Sequence, residues 1–226
     1  MNTFEEYKKH FEIFCKIDSP EKLAICESQY KSHLLRIEAQ KHFEPFEYKL
    51  GDDILSIYEK NLISLLPFDK ISDNQLSLLI QPSFEPESLL VIDKKQDRYL
   101  LTYTTLVTNY WYVFYGNNSI TDVEKKTLTA ELRKDLGDKI YALIDAAILE
   151  ARKPVGGGHV MDGVVYVFSR ILDGKQISVF KHSPSEGSKT ANIIDLMQYL
   201  VDNLMNLEAA THSALENLMK TAYQNK

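Results

Sequence analysis

Cysteine is almost absent from this chain: Cys15 and Cys26 are the only two among 226 residues. Two thiols so close together build neither a disulfide framework nor a four-ligand zinc site, so buried reduced thiols are expected. Long apolar runs are also missing. Nowhere do roughly 18 uncharged apolar residues follow one another, as a membrane helix requires, and the charged start MNTFEEYKKHFEIF lacks the apolar centre of a secretory signal. Together these absences predict a cytoplasmic protein with no membrane contact. Blocks of a single charge sign are lacking too. The 26 basic and 32 acidic residues are intermixed and leave a net charge of −6, which disfavours a phosphate-tracking surface and hence a nucleic-acid partner.

Catalytic signatures are as scarce. Gly-x-Ser-x-Gly and His-Glu-x-x-His do not occur, and Ser28-Gln29-Tyr30-Lys31 matches Ser-x-x-Lys in form only, on a helix and without companion motifs. No catalytic residue, metal ligand set or cofactor is therefore assigned. No repeat, low-complexity tract or Gly/Ser linker divides the chain, so residues 1–226 are expected to form one domain, with a helical N-terminal subregion at 1–45.

What is present is an ordinary globular balance, 44% hydrophobic and 26% charged, with 13 Tyr and 10 Phe making the core partly aromatic. Phe4, Tyr7, Phe11 and Phe14 recur at steps of three and four and predict an amphipathic helix over 3–16. Ser19 and Pro20 then start a second helix with Leu23, Cys26, Tyr30, Leu34 and Ile37 on one face, ending before Pro45. Asp52 or Asp53 caps a third, with Ile54, Leu55, Tyr58, Leu62 and Leu65 inward. A helical turn around 75–79 and a proline-broken loop lead to a hairpin of Leu89–Ile92 with Tyr99–Leu106. Thr121 and Glu124 form a capping-box pattern that opens a helix to residue 152, bent at Gly137, and a long helix from 191 to 222 closes the chain.

Three stretches carry what chemistry there is. Between Pro154 and Pro184, a glycine run (Gly156, Gly157, Gly158) leads into an alternating strand, Val164 to Phe168, and Asp173-Gly174 suits a two-residue hairpin turn. His159 and Asp162 in that loop, with His182 at the far end of the returning strand, could act as base and orienter or hold an anion or metal. Two observations weigh against this. The glycines follow a helix and enter a strand, the reverse of a phosphate cradle. An even ladder from the turn also sets His182 opposite Val165 rather than His159.

The third stretch, residues 107–115, reads as an aromatic strand with Tyr110, Tyr112 and Phe114 on one face and Trp111, Val113 and Tyr115 on the other. Either helices cover both faces of the sheet, or an aromatic row with Trp111 and Tyr115 is exposed for binding.

The expected fold is α+β: an antiparallel sheet of four to five strands covered by the helices at 121–152 and 191–222, with an N-terminal helical part. The expected function is non-enzymatic, the binding or neutralising of another protein, through Trp111, Tyr115, Gly157, His159, Asp162 and His182. The alternative is a hydrolase or small-ligand enzyme with its site near the Gly156–Asp162 loop. A homodimer through the C-terminal helix is a further expectation, since a periodic helix of that length can project and pair.

Overall fold

Short polar residues set the helix starts. The computed structural model describes residues 3–47, 52–116, 123–154, 162–207 and 212–224. Helix α1 (Phe4–Phe14) begins where the Thr3 hydroxyl accepts from the Glu6 N–H, and α2 (Pro20–Ala39) where Ser19 accepts from Lys22, with proline at its first position. The aromatic stripe of α1 packs on α2, where Phe4 and Tyr7 each sit 5.4 Å from the Tyr30 ring, and Phe14 is left 79% exposed. A two-residue strand β1 (Glu44–Pro45) follows. Helix α3 (Ile54–Leu65) is capped by Asp53, which accepts from Leu55 and Ser56. Tyr58, Leu62 and Leu65 point inward as expected, but Ile54 and Leu55 in the first turn are exposed.

The sheet departs from the expected count: among the described residues it has seven antiparallel strands, not four or five. They are β1, β2 (Gln75–Pro82), β3 (Ser88–Lys94), β4 (Arg98–Leu106), β5 (Lys125–Arg133), β6 (Val164–Leu172) and β7 (Lys175–His182), in the order β1-β7-β6-β2-β3-β4-β5. The missed strands have physical reasons. Residues 75–79, read as a helical turn, belong to β2 at the centre of the sheet. Leu76 and Leu78 face one side of the sheet and Leu79 the other, so Leu78, Leu79 and Ile80 follow one another and blur the alternation. Ser77 is buried in that run without cost, because its hydroxyl donates to the Phe68 carbonyl at 3.0 Å.

Strand β5 was hidden by an ambiguity of spacing. Leu128 and Leu132 are four apart, a separation that keeps two side chains on one face of a strand as well as of a helix. The expected helix from 121 therefore begins only at Lys134, as α5 (Lys134–Leu149). Gly137 does not interrupt it. It lies within the helix, where the missing side chain makes room for the Tyr99 ring: a Cβ there would stand 2.0 Å from Tyr99 Cδ2.

The aromatic stretch is likewise a helix, α4 (Tyr110–Tyr115), started by Asn109, whose side chain accepts from the Tyr112 N–H. Six residues are too few for a helical period to show above the aromatic composition. At the C-terminus the single long helix is instead α6 (Lys189–Asp202), a 3₁₀ turn (Leu204–Asn206) and α7 (His212–Gln224). Helix α7 packs on α6 and buries Leu215, Met219 and Ala222 in the core.

Helices cover both faces of the sheet. Helices α5, α6 and α7 pack over Leu76, Leu78, Ile92, Leu101 and Phe168, while α3 and α4 pack over Leu79, Leu89 and Val167. The buried ammonium of Lys181 on β7 ties the end of α2 to the sheet, donating to the Ala39 carbonyl at 2.7 Å and to Glu44 at 3.1 Å. None of the described helices is long and apolar enough to cross a membrane.

Candidate binding cleft

Two of the expected stretches converge on the α3/α4 side of the sheet. There, β2 ends, β6 begins and β7 ends, and a cleft of about 700 Å³ opens between them and the two helices. The β6–β7 hairpin sets its inner wall. Asp173 and Gly174 both take positive φ, 51° and 70°, as a two-residue turn of this hand requires. The ladder then runs evenly from Leu172↔Lys175 to Val165↔His182, as the turn alone predicts, and carries Phe180 and His182 to the cleft.

Gly163 allows the close approach at the mouth. Its φ is +139°, and a Cβ there would lie 1.9 Å from Ser183 Oγ and 3.2 Å from His182 Nε2. The neighbouring hydroxyls hold this corner together. Ser83 Oγ donates to the Gly163 carbonyl and accepts from its N–H, both at 3.0 Å, and Ser183 Oγ accepts from the Val164 N–H at 3.1 Å. Both serines are thus engaged by backbone, in positions suited to shaping a wall rather than to attacking a substrate.

The opposite wall is aromatic. Tyr58 of α3 stacks on Tyr110 and meets the edge of Trp111 at 5.0 Å, and Trp111 in turn packs on Tyr115 at 4.3 Å. One buried carboxylate organises this wall. Glu87, fully buried just before β3, accepts from the Tyr58 hydroxyl at 2.6 Å and from the Tyr110 N–H at 2.7 Å, so it joins α3 to the start of α4. Burial first, and then the Glu87 charge, push the Tyr58 phenol far above its ordinary value, so it stays a hydrogen-bond donor. Asn109 adds a second tie, donating to the Glu85 carbonyl at 2.7 Å and fixing the β2–β3 loop that carries Phe84.

Of the six residues expected to bind, the structure brings Trp111, Asp162 and His182 to the cleft lining. Tyr115 stands behind Trp111, exposed, as a support for its ring. Gly157 and His159 lie outside the described residues. The lining also includes residues that sequence reasoning missed, chiefly Glu59 of α3, Phe84 and Tyr112. Phe84 sits in a proline-flanked loop that has no periodicity to flag it. Glu87 gave no signal either, because a carboxylate in a polar loop reads as solvated until the fold buries it.

The electrostatics of the cleft are one-sided. Among the described residues its charged lining groups are Glu59 and Asp162, with His182 beside them and no Lys or Arg. Burial, and then the charge of Asp53, raise the proton affinity of Glu59 above the ordinary carboxylate value. Among the described residues no group of three or more His, Cys, Asp or Glu is placed to hold a metal ion. In comparisons with known proteins no family model matches the chain, and neither a curated protein nor a solved structure matches it, so its reading rests on this geometry.

Proposed function

We propose that this is a non-enzymatic binding protein whose cleft receives an apolar segment of another protein flanked by Lys or Arg. The observation that carries the reading is the aromatic rim. Phe84 is 66% and Tyr112 55% exposed, and both line a cleft whose floor is already folded and held by Glu87. Large aromatic side chains left in water beside a concave surface favour association, since covering them recovers apolar area at about 25 cal/mol per Å². Glu59 and Asp162 supply the preference for a cationic flank. A cation brought beside Glu59 would lower its raised proton affinity and offset part of the desolvation it suffers in the wall.

The enzyme alternative has less to stand on. Asp162 and His182 do reach the same cleft, but the two serines beside them are held by backbone groups. No activated nucleophile is assembled from the described residues.

Trp111 is the chain's only tryptophan, so its emission reports directly on the cleft. Random peptides displayed on phage are selected on the intact protein and then titrated as free peptides against Trp111 fluorescence. Enriched peptides are expected to combine aromatic or aliphatic residues with Lys or Arg. Phe84→Ala and Glu59→Gln should each weaken them by about 5- to 30-fold, corresponding to about 1–2 kcal/mol. Binding should also weaken as pH falls through the raised range of Glu59, and Glu59→Gln should remove that dependence. Enrichment of no peptide, or equal binding to a Phe84→Ala/Tyr112→Ala variant, refutes the proposal.

A further inference from the structure

The two edges of the sheet are finished differently. At one edge the two-residue β1 covers part of β7 and ends in Pro45, a common way of blunting an edge. At the other, β5 ends the strand order, and no described residue pairs with its outer side. Its ladder with β4 runs unbroken from Arg98↔Arg133 to Leu106↔Lys125, with no bulge and no proline to interrupt it. Such an edge is a template for another strand.

The direction of its free groups follows from one contact. Val107 N–H donates to the Glu124 carbonyl, so in antiparallel alternation the even-numbered residues of β5 bond β4. The close Thr104–Thr127 hydroxyl contact at 3.1 Å agrees, marking 127 as a non-bonded pair with β4. The N–H and C=O groups of Lys125, Thr127, Thr129, Glu131 and Arg133 therefore point outward.

We propose that β5 is where two copies of this chain pair, antiparallel and edge to edge, with Leu128 of each copy at the two-fold axis. Charge favours that register, with Lys125 also donating to the Leu65 carbonyl and Glu131 also facing Arg98 within each copy. Centred on Leu128, the pairing sets Lys125 of one copy opposite Glu131 of the other at both ends, and Thr127 opposite Thr129. Centred on Thr129, it would set Lys125 against Arg133; centred on Thr127, it would leave Lys125 opposite a threonine. In the chosen register the outward residues form the hydrogen-bonded pairs, and each pair exchanges both N–H···O bonds. Leu128, 40% exposed, meets its own copy at the axis in the closer, non-bonded spacing. Because a two-fold normal to the sheet keeps each face on the same side, the 3₁₀ turns that pack on β5 also approach one another. Met205 in that turn is 76% exposed and would be covered. This pairing leaves the cleft on α3 and α4 open, so it stands or falls separately from the binding proposal.

Sedimentation velocity of the full chain over a range of concentrations tests it. The wild type is expected to dimerise reversibly. Thr129→Pro removes an outward N–H that β4 does not use, so it should give a monomer whose circular dichroism is unchanged. Lys125→Glu and Glu131→Lys alone each set like charges opposite at both ends and should raise the dissociation constant about tenfold, and the double exchange should restore it. The charge exchanges decide the matter if the proline variant fails to fold. A wild type that stays monomeric, a dimer indifferent to Thr129→Pro, or a double exchange no better than the single ones overturns the proposal.

Discussion

Gly137→Ala should destabilise the protein, although the same change within an ordinary helix stabilises it by about 1 kcal/mol. Gly137 lies inside α5, and the added methyl carbon would stand 2.0, 2.4 and 2.5 Å from three carbons of the Tyr99 ring. Carbon atoms rest at about 3.5–4.0 Å, so ring or helix must move by more than an ångström. The ring has nowhere to go. Tyr99 is fully buried, lies 4.9 Å from the Tyr141 ring, and donates its hydroxyl to Asp138 at 2.6 Å. Overpacking of this severity belongs at the upper end of about 1–3 kcal/mol. Less the helix gain, the net loss is about 2 kcal/mol, or a fall of about 4–8 °C in melting temperature for a chain of this size. Thermal and urea unfolding followed by circular dichroism would measure it. A double-mutant cycle supplies the control: in a Tyr99→Ala background Gly137→Ala should become neutral or stabilising, because Cγ, Cδ2 and Cε2, the carbons it strikes, are gone. A melting temperature equal to or above wild type for Gly137→Ala alone would show the packing argument to be wrong.

Two further outcomes test the links between structure and stability. Glu87→Gln keeps the shape but offers one acceptor oxygen where Tyr58 and Tyr110 need two, so stability should fall by about 1–3 kcal/mol. Trp111 emission should shift to the red as its wall loosens, and an unchanged spectrum with unchanged stability would remove Glu87 from its organising place. Hydrogen bonds from Lys134, then Tyr99 and Lys94, hold the Asp138 carboxyl well below its ordinary value of 3.8. A depressed value means that the contribution is complete above 3.8 and is lost as pH falls through the lower, folded-state range. The stability gap between wild type and Asp138→Asn should therefore narrow on acidification below 3.8, and a gap constant across that range would refute the assignment.

Sequence alone determined what depends on neighbours within a few residues. Ser19, Asp53 and Asp173-Gly174 start two helices and one hairpin where expected, because a cap or a two-residue turn is satisfied locally. The position of His182 opposite Val165 followed by counting outward from that turn. The α+β class was legible for the same reason: apolar periodicity separates strands from helices.

Tertiary structure decided the rest. Leu128 and Leu132 fit a strand or a helix equally well, and only pairing with β4 made that segment a strand. The run Leu76 to Ile80 became the central strand because two sheet neighbours and two helical layers bury both its faces. Gly137 looked like a bend in the helix until the Tyr99 ring, brought from β4, filled the space above it. The cleft is the furthest from legible, for Tyr58, Glu87, Trp111, Asp162 and His182 are scattered along the chain. What joins them is the order of strands in the sheet and one carboxylate buried beneath two tyrosines, and those are long-range contacts that no local pattern encodes.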